Sequence, residues 1–120
     1  MKRLIALSTF STFSTMLLSA SLAGAQPTAK PVILKPGKPH EKCMVLDSAQ
    51  KIEYRFESSA KVNFNLHYNK GDAMYYPVKL DRTKGESGLY EAKSREKYCL
   101  VWENRTDADV ELNYSYKVGK

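Results

Sequence analysis

The sequence is short of the residues that most catalytic and cofactor-binding sites require. It contains two histidines and two cysteines, and neither His40 nor His67 lies in a Ser/His/Asp or Cys/His setting typical of nucleophilic enzymes. It has no glycine-rich loop that would cradle a phosphate group. It also lacks the close cysteine spacings, such as C-x-x-C, that metal and redox sites use. We therefore expect a protein without enzymatic activity and without a cofactor.

Long apolar runs are scarce too, and no segment after residue 25 is apolar enough to span a bilayer. At the N-terminus, Lys2 and Arg3 precede an apolar stretch that ends in Ala23-Gly24-Ala25, which fits the small-x-small rule for a signal peptidase. Serines and threonines interrupt this stretch, whereas a membrane-spanning helix needs about 20 mainly apolar residues. We interpret residues 1–25 as a signal peptide cleaved near Ala25, which predicts a periplasmic or secreted protein.

The two cysteines lie far apart in the sequence, at Cys43 and Cys99. An oxidising compartment outside the cytoplasm permits a disulfide, and small domains with limited cores often need an additional covalent link. Only one intramolecular pairing is available to two cysteines. The sequence therefore predicts a structural disulfide between Cys43 and Cys99.

Residues 26–40 form a segment rich in proline and lysine. Pro27, Pro31, Pro36 and Pro39 exclude a helix and favour extended chain. We interpret the segment as an arm or linker, in which Val32-Ile33-Leu34 is a candidate for one short edge strand. Its lysines either allow weak contact with anionic surfaces or simply keep the arm solvated. The whole chain has a formal net charge of +6, and beyond the arm basic and acidic residues are interspersed, so nucleic-acid binding is not expected.

From residue 41 onward, apolar and polar residues alternate, which is typical of half-buried β-strands. Asn69-Lys70-Gly71-Asp72 predicts a tight hairpin turn, and Pro77 predicts that its strand lies at an edge or contains a bulge. The pattern predicts strands over residues 51–56, 61–68, 73–80, 88–92, 97–103 and 110–118. Polar segments predict turns or loops at residues 57–60, 81–87, 94–96 and 104–107.

These strands predict an all-β domain over residues 41–120. Several short strands separated by turns, with no segment of helical period, favour a small antiparallel β-sandwich of six to eight strands with one disulfide. A closed barrel is the second choice. Residues 97–103 are apolar on both faces, which predicts a central strand.

The order of these motifs resembles the GOLD (Golgi dynamics) family of β-sandwiches. The matching segments are Tyr54-Arg55-Phe56, residues 62–68, Gly88-Leu89-Tyr90 and residues 98–104. In that family an early cysteine bonds to a late one, which precedes an aromatic residue and an asparagine at a turn. Matching residues here are Cys43, Cys99, Trp102 and Asn104. The resemblance implies a GOLD-like or jelly-roll sandwich, the disulfide, and binding of a protein or lipid. GOLD cargo receptors add a coiled coil and a transmembrane helix, which this sequence does not show, so a trafficking role is not expected.

A second resemblance concerns Ser87-Gly88-Leu89-Tyr90. This stretch is similar to the Ser-Gly-x-x-Tyr loop of periplasmic inhibitors of C-type lysozyme, although its spacing is one residue shorter. Those inhibitors are also small, exported, disulfide-linked β-proteins. The resemblance implies an alternative function, namely inhibition of an extracellular hydrolase such as lysozyme.

Tyrosine is the most conspicuous residue type, with eight in the chain. Exposed tyrosines are enriched at protein interfaces, although alternate tyrosines can also cap a thin core. Tyr75 is out of phase with the predicted inward-facing set of its strand, which comprises Met74, Tyr76, Val78 and Leu80. We therefore predict that Tyr75 faces away from the core, and we take Tyr75, His67 and Tyr90 as a candidate partner surface.

A metal site is not predicted. His40, Cys43 and Met44 are close in sequence, Met74 and His67 are candidates to lie near them, and the soft ligands of methionine and histidine suit copper. Methionines in alternating strands, however, more often fill the core. The preferred interpretation is an exported, non-enzymatic binding module for a protein, a lipid or another envelope component.

Overall fold

The computed structural model describes residues 31–120, so the predicted signal peptide and residues 26–30 of the arm lie outside the described residues. Six antiparallel strands make up this part of the chain: β1 (Val32–Leu34), β2 (Pro39–Leu46), β3 (Lys51–Lys70), β4 (Ala73–Glu91), β5 (Glu96–Glu103) and β6 (Val110–Gly119). Residues 31–120 contain no helix long and apolar enough to cross a membrane. The predicted all-β class is confirmed.

A long β3–β4 hairpin organises the whole fold. The first part of β3 pairs with β6 and its second part pairs with β5, whereas β4 follows β3 along its other side. The strands are hydrogen-bonded continuously in the order β1-β6-β3-β5-β2, with β4 paired to β3. The two halves of the hairpin divide this ladder into a β1-β6-β3-β4 sheet and a β2-β5-β3-β4 sheet. The hairpin contributes to both sheets, which pack face to face as the predicted sandwich.

The hairpin bends where the sequence predicts a turn at residues 57–60 and a loop at residues 81–87. Both of these predictions are wrong, because β3 and β4 continue through the bend. The register shifts between Glu57 and Val62, and Arg82 adopts a φ of 56°. The Ser58 hydroxyl lies 2.7 Å from the Ala60 carbonyl and 3.1 Å from the Lys84 carbonyl. Small polar residues suit a bulged corner as well as they suit a turn.

Two local predictions about β4 are confirmed. The chain reverses at Gly71-Asp72, where Gly71 has a φ of 63° at the first position of the two-residue turn. Pro77 lies on an edge strand, since β3 is the only described partner of β4. The register shift between Leu66 and Tyr68 sets Tyr76 and Pro77 of β4 against His67 alone, so the bulge contains this proline, which cannot donate a hydrogen bond to the ladder.

Residues 31–40, which the sequence analysis interprets as an arm or linker, include strand β1 and the start of strand β2. Val32–Leu34 forms the anticipated edge strand and pairs with β6. Strand β2 begins at Pro39, so with β1 the sandwich starts before residue 41, the predicted start of the domain. Gly37, with a φ of 71°, donates its amide hydrogen to the Asn104 carbonyl at 2.8 Å. The proline-rich turn is thereby fixed to the sandwich.

The core fills the space between the two sheets. Phe64 lies at its centre, with ring centroids 4.7 Å from Phe56 and 5.4 Å from Trp102. Strand β5 lies between β2 and β3, as expected for a central strand. Its residues from Tyr98 to Trp102 are all buried. The other large buried side chains are Leu34, Leu46, Ile52, Tyr54, Val62, Leu66, Val110 and Leu112.

The predicted disulfide is confirmed. Cys43 of β2 is directly opposite Cys99 of β5 in the register, with a Cα–Cα distance of 4.0 Å. The bond lies on the outer side of this sheet, because the neighbouring pair formed by Met44 and Tyr98 faces the core. It joins an edge strand of the sandwich to its central strand.

Asn104 is a fully buried polar side chain at the end of β5. Its Nδ2 donates to the carbonyls of Leu34, at 2.8 Å, and Ala108, at 2.7 Å. Its Oδ1 accepts from the backbone amide of Thr106, at 2.8 Å, and from the hydroxyl of that residue, at 2.7 Å. The side chain therefore connects the end of β1 to the loop between β5 and β6.

Candidate binding surface along strand β4

Strand β4 carries four of the eight exposed large apolar side chains among residues 31–120. Tyr75 is 46% exposed, Tyr76 is 47% exposed and Leu89 is 65% exposed. Among the described strands, only β3 pairs with β4, so the second edge of β4 carries backbone groups without a strand partner. An edge of this kind is open to pairing with another chain.

The orientation predicted for Tyr75 is wrong. Tyr75 is opposite Tyr68 in the register, and their rings stack with centroids 5.2 Å apart and an interplanar angle of 19°. Tyr68 packs against the core, so Tyr75 extends the core side of the sheet. The bulge between Leu66 and Tyr68 is the cause, because one extra residue reverses the faces of the side chains beyond it.

Tyr75 belongs to a tyrosine row that comprises Tyr75, Tyr68, Tyr98 and Tyr90. Beyond the Tyr75–Tyr68 stack, the ring of Tyr68 is 5.1 Å from that of Tyr98, and Tyr98 is 5.8 Å from Tyr90. The Tyr98 hydroxyl donates to the Ser94 carbonyl at 2.7 Å. Burial raises the pKa of Tyr90, and the neighbouring Tyr98 and Tyr68 raise it further. The row brings together Tyr75 and Tyr90, two of the three predicted site residues.

His67, the third predicted site residue, lies on the opposite face of the sheet. It pairs with Cys99 and therefore points outward, and its Nδ1 is 2.9 Å from Asn65 Oδ1. If Nδ1 carries the proton for this bond, Nε2 is left as an acceptor. The ring next to His67 is Tyr76, at 5.8 Å, which the sequence pattern placed in the core. Pro77 indicates a bulge already in the sequence. Which side chains change face because of that bulge is visible only from the pairing of β4 with β3.

The stretch that resembles the lysozyme-inhibitor loop lies within β4 rather than in a loop. Ser87 and Leu89 point outward, whereas Tyr90 points toward the core and joins the tyrosine row. Gly88 is opposite Tyr54, whose hydroxyl lies over it. The glycine thus has a packing role, and the serine and tyrosine of the motif lie on opposite faces of the strand.

Replacing Gly88 with alanine is expected to destabilise the fold by about 1–3 kcal/mol, since overpacking a core costs that much. An added Cβ would lie 2.6 Å from the Cζ atom of Tyr54, whose ring is almost fully buried. Urea unfolding measures the loss. Gly119→Ala is the matched control, because a Cβ there meets nothing within 4 Å. Equal stability of the two variants would contradict this packing role.

His40, the other histidine, faces the core at the β2 edge of the sandwich. Its Nε2 is 3.1 Å from the Tyr114 hydroxyl, and its ring is 5.9 Å from Trp102. The rings of Trp102 and Tyr114 are 4.5 Å apart. Burial lowers the pKa of His40, and the nearby Lys42 ammonium lowers it further. The imidazole is therefore neutral in the folded protein at pH 7 and packs against Trp102 and Tyr114.

The lowered pKa of His40 predicts that acid destabilises the protein. The folded state resists protonation more than the unfolded state, so the stability that neutral His40 contributes is present above the unfolded pKa of about 6.5. It is lost as the pH falls from that value through the folded pKa. The urea midpoint of wild type should therefore fall between pH 7 and pH 5 more than that of His40→Gln. A His67→Gln variant, which leaves this cluster intact, should behave like wild type; identical pH slopes for all three proteins would contradict the prediction.

The structure does not bring together the copper ligands considered from the sequence. His40 faces the core and His67 faces outward, and the sulfur atoms of Cys43 and Cys99 are joined in the disulfide. Glu41 lies beside this disulfide, but a disulfide sulfur is not the thiolate that binds metals. Among residues 31–120 these groups therefore do not form a metal site.

Comparison with known proteins supports the fold. No family model and no curated protein matches the sequence. The pre-peptidase C-terminal domain of a collagenase from Bacillus anthracis is similar in structure, with a TM-score of 0.59 at 18% identity over 78% of this chain and 89% of that chain. The Yersinia pseudotuberculosis-derived mitogen gives 0.54 at 13% identity, over 78% of this chain and 86% of that one.

A third similar structure is PliG from Aeromonas hydrophila, a periplasmic inhibitor of g-type lysozyme. Its TM-score is 0.52 at 16% identity, over 78% of this chain and 89% of that one. These likenesses show a small all-β fold, and the more specific GOLD-like assignment is not confirmed by them. The disulfide is compatible with an exported protein.

Proposed function

We propose that this protein is an exported, non-enzymatic module that binds a protein partner along strand β4. The observation that carries the proposal is the tyrosine row next to an unpaired strand edge. Tyr75 and Tyr90 lie at the ends of that row. Tyrosine supplies a large contact area with one polar hydroxyl, and it is enriched where protein surfaces meet.

The edge of β4 adds main-chain hydrogen bonds to these side-chain contacts. A partner segment in extended conformation would pair with β4 and continue either sheet, as in β-strand addition. Its alternate side chains would then meet Tyr75 and Tyr90 on one face. This geometry favours a protein partner over a lipid, because lipid chains cannot satisfy the backbone groups of an open edge.

The test compares partner capture by wild type and by Tyr75→Ala. The exported protein fraction of the source cells is passed over each immobilised protein, and bound proteins are quantified by mass spectrometry. We expect Tyr75→Ala to lower capture of the specific partner about tenfold, a typical effect for an interface anchor. Tyr116→Ala, on β6 and also partly exposed, is the control and should retain capture. Equal capture by both variants would contradict a partner surface on β4.

A second candidate function is inhibition of lysozyme. It is favoured by the structural likeness to PliG, an inhibitor of g-type lysozyme, together with Ser87-Gly88-Leu89-Tyr90 on the same strand. Purified protein should then inhibit g-type lysozyme at a stoichiometric ratio, and Ser87→Ala should weaken the inhibition. Asn113→Ala, on an exposed position of β6, provides the control. Undiminished lysozyme activity in excess protein would exclude this candidate.

A further inference from the structure

A half-open cleft of about 320 Å³ lies on the outer face of the β2-β5-β3-β4 sheet. It is separate from the tyrosine row, which lies on the inner side. Its lining includes one aromatic ring, two amides and four charged side chains: Tyr76, Asn63, Asn65, Lys79, Asp81, Glu103 and Arg105. This combination places hydrogen-bond donors, hydrogen-bond acceptors and an aromatic ring around the same cleft.

The two asparagines have their amide groups oriented by the protein. Asn63 Oδ1 accepts from the Arg82 backbone amide at 3.0 Å, and Asn65 Oδ1 lies 2.9 Å from His67 Nδ1. With both oxygens already used within the fold, the two NH₂ groups remain available as donors toward the cleft. Both asparagines come from the outward-facing positions of β3, where half-burial limits their movement.

The charges around the cleft balance one another. Lys79 and Arg105 oppose Asp81 and Glu103, and the Arg105 Nε donates to Glu103 Oε2 at 3.0 Å. An anion such as phosphate would meet two carboxylates, and a metal cation would meet an ammonium and a guanidinium. The exposed ion pair is worth little by itself, so its remaining N–H groups and carboxylate oxygen are free to bind neutral hydroxyl groups.

Tyr76 supplies a platform at one side of this polar lining. Tyr76 is 47% exposed, and the centroid of its ring is 5.8 Å from that of His67. The Lys79 ammonium lies over the ring at 5.5 Å, and a sugar stacked on that face would displace it. The faces of pyranose rings present C–H groups with partial positive charge, which complement the negative face of an aromatic ring. Their hydroxyls each donate and accept, which matches the mixed donors and acceptors of the cleft.

We propose that this cleft binds a neutral pyranose oligosaccharide, with Tyr76 beneath one sugar ring and Asn63, Asn65 and Asp81 at its hydroxyls. The site is independent of the protein-binding edge proposed for β4. A saccharide would lie on the outer face of the sheet, whereas a protein partner would contact the tyrosine row. One copy of this protein would therefore bind a glycan and a protein partner at the same time.

The test is a titration of the purified, disulfide-bonded protein, monitored by amide NMR shifts. The probes are cellotriose, triacetylchitotriose and inorganic phosphate. We expect a neutral trisaccharide to cause saturable shifts at the cleft amides of β3, β4 and β5, with a Kd in about the millimolar range. Phosphate should cause none. Saturable phosphate binding in the cleft, or no saturable shift with either trisaccharide, would overturn the proposal.

Adjacent tyrosines provide matched variants for this titration. Tyr76→Ala should weaken saccharide binding about tenfold or more, and Tyr76→Phe, which keeps the ring, should retain it. Tyr75→Ala should leave saccharide binding unchanged, because Tyr75 is equally exposed but lies on the opposite face. Equal losses in Tyr75→Ala and Tyr76→Ala would overturn the assignment of the cleft. The amide spectrum of each variant reports directly whether it is folded.

Discussion

Removal of the Cys43–Cys99 disulfide is expected to lower the free energy of unfolding by about 4 kcal/mol. The two cysteines are 56 residues apart in sequence, and the chain-entropy model gives about this value for a loop of that length. The native sheet already places the two residues opposite each other. The main consequence of losing the bond is therefore a less restricted unfolded chain, together with a less firmly attached β2.

Urea unfolding of the oxidised protein, the reduced protein and Cys43→Ala/Cys99→Ala measures this effect. The reduced protein and the double variant should both unfold at lower urea concentration than the oxidised protein. Reductant should have no effect on the double variant, which controls for any action of the reagent elsewhere. A loss below about 1 kcal/mol would show that ladder hydrogen bonds and packing alone hold β2.

The alternating pattern of the sequence is a reliable guide to the existence of the strands but a poor guide to their ends. Residues 51–56 and 61–68 read as two strands because Ser58 and Ser59 interrupt the alternation. In the structure they belong to one strand that changes sheets at a bulged corner. A corner and a turn both require small polar residues, so local composition does not distinguish them.

The candidate surface shows how one inserted residue changes a prediction. Alternation alone places Tyr75 outward and Tyr76 inward, and the bulge that contains Pro77 reverses both. Pro77 indicates that a bulge is present, but the residue at which the register shifts depends on pairing with β3. The same limit applies to the tyrosine row, because Tyr90 and Tyr98 meet only after the two sheets have packed.

The largest effect of a single side chain is expected at Asn104, where Asn104→Ala should destabilise the protein by about 3 kcal/mol. The substitution removes the hydrogen bonds that Asn104 makes to Leu34, Ala108 and Thr106. Leu34 is itself buried, so its carbonyl would be left without this donor. Leaving a buried polar group unsatisfied costs about 1–3 kcal/mol in addition to the hydrogen bonds that are lost.

Asn113→Ala is the matched control for Asn104→Ala, since Asn113 is exposed on β6 and the chemical change is the same. Urea unfolding should show little effect there, within about 0.5 kcal/mol. A loss in Asn104→Ala no larger than in this control would contradict the proposed role of the side chain.

Asn104→Asp separates the donor role of the side chain from its acceptor role. Aspartate keeps an oxygen for Thr106 but at neutral pH offers no hydrogen to the carbonyls of Leu34 and Ala108. It would bring a buried carboxylate against two carbonyl oxygens, so a loss at least as large as that of Asn104→Ala is expected. Protonation of this carboxylate would restore one donor, so the deficit relative to wild type should shrink at low pH. Such a recovery in Asn104→Asp, absent in Asn104→Ala, would show that the ionised carboxylate against the carbonyls of Leu34 and Ala108 causes the loss.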